Sequence, residues 1–228
     1  TAVGSEALAS ATTASYNTAV GRSALATSTT GTENTAVGYK AGSLTTGNNN
    51  TFVGCYTGEN NTSGYWNTAM GYETFEANSG GYRNVAIGMY ALKANTTGIE
   101  NTALGVEALK TATTASGNLA AGYYSLFACT TGSQNVALGG NWCMSAVTTG
   151  NNNTAVGYEA MKTLTTTNSN TAVGRASMKY AQTADACTAL GKDAGLNLSS
   201  GNCNVMIGCE AGDETTTGAY NTMIGYNC

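Results

Sequence analysis

Acid–base pairs are the first residues in this 228-residue chain that could do chemistry. Glu107 precedes Lys110 by three residues, and Glu159 precedes Lys162 by three. A carboxylate works as a general acid or base when its neighbours bring its pKa near the working pH. The sequence supplies no such neighbours. It has no His, so neither a Ser–His–Asp nor a Cys–His arrangement can form. The pairs read instead as a solvated face with weak ion pairs, each worth under about 1 kcal/mol. The seven Cys (Cys55, Cys129, Cys143, Cys187, Cys203, Cys209 and Cys228) contain no CxxC, and without His they offer no zinc-ligand spacing. Cys187 and Cys203 are either a disulfide pair or two of several scattered small residues. Neither a phosphate loop nor a calcium-binding nonapeptide pattern occurs. The expectation is a non-enzymatic chain with no catalytic residue, no cofactor and no metal.

The elements that carry these residues are repeats. Aligned on Asn-Thr-Ala-Val-Gly, coils begin at residues 1, 18, 35, 51, 68, 85, 102, 119, 136, 154, 171, 188, 205 and 222. The step is 17 residues, with one of 16 and one of 18. Column 4 is always Gly: Gly4, Gly21, Gly38, Gly54, Gly71, Gly88, Gly105, Gly122, Gly139, Gly157, Gly174, Gly191, Gly208 and Gly225. The last column is Asn17, Asn34, Asn50, Asn67, Asn84, Asn101, Asn118, Asn135, Asn153, Asn170, Asn204 and Asn221, with Cys187 the exception. Column 3 is apolar throughout. Column 1 is Thr or aliphatic, and column 2 is Ala except at Phe52, Met206 and Met223. The carboxylates gather in column 6 (Glu6, Glu73, Glu107, Glu159, Asp193, Glu210), with Lys93, Lys110, Lys162 and Lys179 in column 9.

Two Gly in most coils argue against helix, each costing about 1 kcal/mol in a helix interior. The Asn, Thr and Ser content favours turns. Apolar columns 1 and 3 alternate with a small residue, the period of a strand, and columns 7 and 8 form a second apolar stretch. Each coil is therefore expected to hold two short strands joined by two turns, with columns 1 and 3 supplying the core. One coil cannot bury its own apolar face, but stacked coils can. Parallel strands at about 4.8 Å spacing would give a rod about 65 Å long. The asparagines would form an amide ladder bonding above and below or closing a turn, and the glycines would serve turns with φ > 0.

The balance of 9 basic and 13 acidic residues gives a net charge of −4, with no basic cluster for nucleic acid. No apolar run is long enough to span a membrane, so no membrane insertion is expected within this segment. The odd Cys count tilts weakly against maturation in an oxidising compartment, a constraint that a fibre assembled in the cytosol and released later would escape. The expected organisation is one repetitive domain, 1–228, as a fragment of a longer fibre chain.

The Asn-Thr-Ala-Val-Gly strings at 34–38, 153–157 and 170–174 resemble the head repeats of trimeric autotransporter adhesins, and similar repeats occur in bacteriophage tail fibres. The resemblance covers essentially the whole chain. It implies a left-handed parallel β-roll, three chains side by side and an extracellular role, with column 2 at a close approach and columns 1 and 3 facing the coil interior. The chain departs from that family in its longer coil, its frequent Thr in column 1 and its Cys content.

The resulting fold class is all-β, a parallel β-solenoid (β-roll) of about 13 coils, left-handed and homotrimeric. The leading function is a structural, extracellular fibre segment, the shaft or receptor-binding section of a phage tail fibre in host attachment. A bacterial surface adhesin is the first alternative. An ice-binding solenoid is the second, suggested by Thr96-Thr97, Thr130-Thr131, Thr148-Thr149 and Thr216-Thr217. A polysaccharide-cleaving β-helix would need clustered charged groups in a groove, for which these coils are too short. Outward tyrosines, Tyr39, Tyr72, Tyr123, Tyr158 and Tyr226 after the column-4 Gly and Tyr56, Tyr90 and Tyr124 one column later, would pack between subunits or meet a cell-surface receptor or glycan.

Overall fold

The computed structural model describes all residues, Thr1–Cys228, and is all-β: a parallel β-solenoid of about 13 turns with no helix. It comprises two compact units, Thr1–Ser116 and Gly117–Cys228. In the first, β1 (Ala2–Val3), β2 (Thr18–Val20), β3 (Thr35–Val37), β4 (Thr51–Val53), β5 (Thr68–Met70), β6 (Val85–Ile87) and β7 (Thr102–Leu104) pair in sequence order. In the second, β8 (Leu119–Ala121), β9 (Val136–Leu138), β10 (Thr154–Val156), β11 (Thr171–Val173), β12 (Thr188–Leu190), β13 (Val205–Ile207) and β14 (Thr222–Ile224) do the same. Like residues stack on like, as in Thr18 on Thr35 and Ala19 on Ala36.

Each coil holds one strand, where the sequence predicted two. Columns 7 and 8 form a turn instead. Leu92 has φ +49° and Leu109 has φ +50°, in the left-handed region. A strand with one face turned outward cannot bury two successive side chains, but the left-handed residue redirects the chain so that Ala91 and Leu92 are both fully buried. That conformation costs an L-residue about 1–2 kcal/mol. Burying a Leu side chain recovers about 1.5–3 kcal/mol.

The phase of the strand is also opposite to expectation. Column 2 faces inward: Ala19, Ala36, Ala86, Ala103, Ala137, Ala155 and Ala172 are fully buried. Columns 1 and 3 lie on the outer face of the sheet, half-buried and exposed respectively in β2, β3, β6, β7 and β11. The reason is volume. The interior is narrow, and a methyl from column 2 meets the large column-8 side chain of the facing turn. A larger column-2 residue fits only where column 8 is Gly. Phe52 lies against Gly42 and Gly58, where an added Cβ would come within 2.7 and 2.6 Å of its ring. Met206 occupies the same place against Gly195 and Gly212.

Candidate functional site

The two most repetitive columns are placed where they hold the backbone together. The column-4 glycines directly follow the strands, and thirteen of the fourteen have φ between +128° and +143°. A Cβ on Gly4 would stand 2.7 Å from the Gly21 carbonyl oxygen, so the coils touch here through bare backbone. Gly139 lacks the positive φ and precedes the extra residue of the 18-residue coil.

The asparagines lie just before the strands, buried except Asn221. The Asn50 backbone N–H and Nδ2 donate to Asn34 Oδ1 at 2.9 and 3.1 Å, and its Nδ2 also donates to the Gly64 carbonyl at 2.9 Å. Asn135, Asn153 and Asn170 repeat the pattern. Cys187 interrupts it: its backbone N–H donates to Asn170 Oδ1, its Sγ donates to the Gly201 carbonyl at 3.2 Å and accepts from the Asn204 N–H at 3.4 Å. A second, shorter ladder runs in column 11, where Asn95 Nδ2 donates to Asn78 Oδ1 at 2.8 Å and Asn78 Nδ2 to Asn61 Oδ1. The next residue in that column is Ala112, and Asn95 Oδ1 is left without a partner.

The charged residues pair along the outside of the turns. Lys110 reaches Glu107 at 3.1 Å; Glu159 sits between Lys162 at 2.7 Å and Lys179 at 2.8 Å. Lys192 joins Asp193 and Glu210, both at 3.1 Å, while Lys93 joins Glu73 and Glu76. Lys162 and Lys179 hold the Glu159 carboxyl below its ordinary value, and Lys93 and Tyr72 do the same for Glu73. This is the wrong direction for a general acid at neutral pH. Glu6 accepts from the Ser23 hydroxyl across coils at 2.7 Å.

All seven Cys are free thiols, so Cys187 and Cys203 are unbridged. Burial pushes Cys129 up to about 11 and Cys143 up to about 12, which keeps both protonated and unreactive at neutral pH. The paired threonines lie in turns. Thr96 Oγ1 donates to the Thr113 carbonyl at 3.0 Å and Thr148 Oγ1 to the Thr165 carbonyl at 3.2 Å. The second threonine of each pair, Thr97, Thr131, Thr149 and Thr217, is exposed.

Three outward features remain. The sheet face presents column 3, with Val3, Val20, Val37, Met70, Ile87 and Leu104 between 36% and 57% exposed in the first unit and Val173 and Ile224 exposed in the second. A tyrosine zipper, Tyr39, Tyr56, Tyr72 and Tyr90, meets edge to face at 5.1, 6.4 and 5.8 Å. An aromatic ridge in columns 15 and 16 holds Tyr65, Trp66, Tyr82 and Arg83. Sequence reading missed the ridge because it followed the tyrosines next to column 4. The signal was present, since Tyr65-Trp66 and Tyr82-Arg83 recur one coil apart. Neither unit carries a pocket, and no helix is long and apolar enough to cross a membrane. No protein-family model, curated protein or solved structure matches the chain.

Proposed function

We propose that this chain is a structural segment of an extracellular attachment fibre, assembled side by side with further copies of itself, as in the shaft or receptor-binding section of a phage tail fibre. The observation that carries this reading is the aliphatic column on the outer face of the sheet. Contiguous exposed apolar surface marks an interaction site in a folded protein. Columns 1 to 3 contain no charged residue in any coil, so two such faces do not repel each other despite the net charge of −4. A second copy has the same coil spacing, so its ranks of Val, Ile, Leu and Met meet these rank for rank. The absence of His and the lowered pKa values of Glu73 and Glu159 support a structural role over a catalytic one.

Sedimentation equilibrium tests the assembly, with a trimer expected. Because Val37 and Ile87 point outward, V37E and I87E should release folded monomers with unchanged far-ultraviolet circular dichroism. A wild-type chain that is a stable monomer sinks the reading. The flanking sequence separates the two settings: a virion-attachment or chaperone domain means a tail fibre, and a membrane-anchor barrel means a surface adhesin.

A second reading uses the same face. Thr18, Thr35 and Thr51 stand half-exposed beside column 3, and a flat Thr and aliphatic array can order water as ice does. Thermal hysteresis from a monomeric chain would replace the fibre with an ice-binding solenoid; none is expected if the face is covered by sister chains.

A further inference from the structure

We infer that the aromatic ridge of the first unit is a binding platform for neutral saccharide chains. Tyr65 and Tyr82 stack at 4.7 Å with their rings 5° from parallel. Trp66 meets Tyr65 edge-on at 5.2 Å. The Arg83 guanidinium lies 5.2 Å from the centre of the Trp66 ring and 5.6 Å from that of Tyr82. Its Nη1 is 3.0 Å from Glu100 Oε1. Backbone bonds fix the same residues, since the N–H groups of Trp66, Arg83 and Glu100 donate to the carbonyls of Asn48, Tyr65 and Tyr82, each at 3.1 Å. The rings are therefore held in place before any ligand arrives, which lowers the entropic cost of binding.

Folding explains Trp66 poorly, as it does Tyr16 and Tyr220 in the same column of other coils. The φ of Trp66 is +56°, a conformation costly for a bulky side chain, and 52% of its surface is exposed. Asn49 and Asn152 fill the same column in other coils and tolerate that backbone far better. Two costs at one position, with a cheaper residue used elsewhere, point to a ligand. Apolar ring surface framed by hydrogen-bonding groups suits a pyranose, whose C–H face packs on an aromatic ring while its hydroxyls bond the rim. The Arg83–Glu100 pair supplies that rim. Because Glu100 neutralises Arg83, the platform has no surplus positive charge, and the sugar it takes is neutral rather than acidic. It is open rather than a pocket, which fits the side of a polymer and a weak single contact that several copies in one fibre would strengthen.

The inference deepens the attachment reading and rests on it for its biological use, although sugar binding does not itself require assembly. Affinity electrophoresis through gels containing dextran, mannan, galactan or the acidic polymer alginate tests it, with sedimentation run on the same samples. Retardation by at least one neutral polymer is expected, with the apparent Kd weakened at least tenfold in W66A and several-fold in R83A. Y180A, distant in sequence and outside the ridge, should bind as wild type does. Retardation by alginate alone, no retardation by any of the four, or unimpaired binding by W66A overturns the proposal, and so does loss of assembly in W66A, which would make the ridge a subunit contact. An assembled chain that binds no sugar removes the platform and leaves the fibre. A monomer that binds sugar through Trp66 does the reverse.

Discussion

Around Phe52 the interior of the coil is filled from the strand; around Leu92 it is filled from the turn. In the first case column 8 holds Gly42 and Gly58, and in the second column 2 holds Ala86. Both arrangements bury their large side chain completely. Met206, against Gly195 and Gly212, repeats the first arrangement in the second unit. The comparison teaches that one interior volume is shared between two columns, and that either may fill it if the other yields.

Removing the filler should cost most. F52A is expected to destabilise the protein by about 3–5 kcal/mol and L92A by about 2–5, read as a fall in the denaturation midpoint. Gly58 has φ +59°, a conformation Leu adopts at Leu25 and Leu92. G58L should therefore restore much of the loss in the F52A background. In the wild type it should overpack against the Phe52 ring and cost about 1–3 kcal/mol. A double variant no more stable than F52A would break the shared-volume account.

The two asparagine ladders extend the comparison to polar contacts. N135A strands the Gly150 carbonyl and the Asn153 N–H, each loss costing about 1–3 kcal/mol. N95A should cost well under half as much. The Asn95 Oδ1 has no partner to lose, and the Gly98 carbonyl keeps Asn84 Nδ2 at 3.0 Å. Equal losses in the two variants would show that ladder length is irrelevant. Restoring the long ladder with C187N should gain about 0.5–1.5 kcal/mol, measured the same way.

The smallest effect lies on the surface. Lys162 and Lys179 lower the Glu159 pKa in the folded state, so its contribution is complete above the ordinary carboxylate pKa. That contribution is lost as pH falls through the folded value. Comparing midpoints at neutral pH and at about pH 3, E159Q should lose less stability on acidification than wild type, by under about 1 kcal/mol.

The 17-residue period, the all-β class and the parallel stacking were legible because Gly recurs in every coil and Asn in all but one. The direction of the strand was not. In Thr-Ala-Val the apolar ends read as the core face, whereas Ala, small enough for either face, is the residue turned inward. The pairing of Phe52 with Gly42 and Gly58, and of Met206 with Gly195 and Gly212, carried the answer in the sequence. The second strand was misread because columns 7 and 8 are apolar in any conformation, and nothing in Ala-Leu marks a Leu with positive φ. The ridge at Tyr65 and Trp66 escaped because the tyrosines beside the column-4 Gly were followed and columns 15 and 16 were not compared from coil to coil.

The bare-backbone contact at column 4 has a genetic consequence. Glycine next to glycine leaves no side chain at column 4 whose identity a neighbouring coil must match, and the asparagine bonds reach no further than the adjacent coil. An in-frame duplication or loss of one repeat within a unit therefore creates a junction chemically like the one it replaces. Reach can change in a single heritable step without inventing a new contact. The 16- and 18-residue coils show the tolerated exceptions, since both absorb their difference outside the strand, near Gly47 and at Gly140.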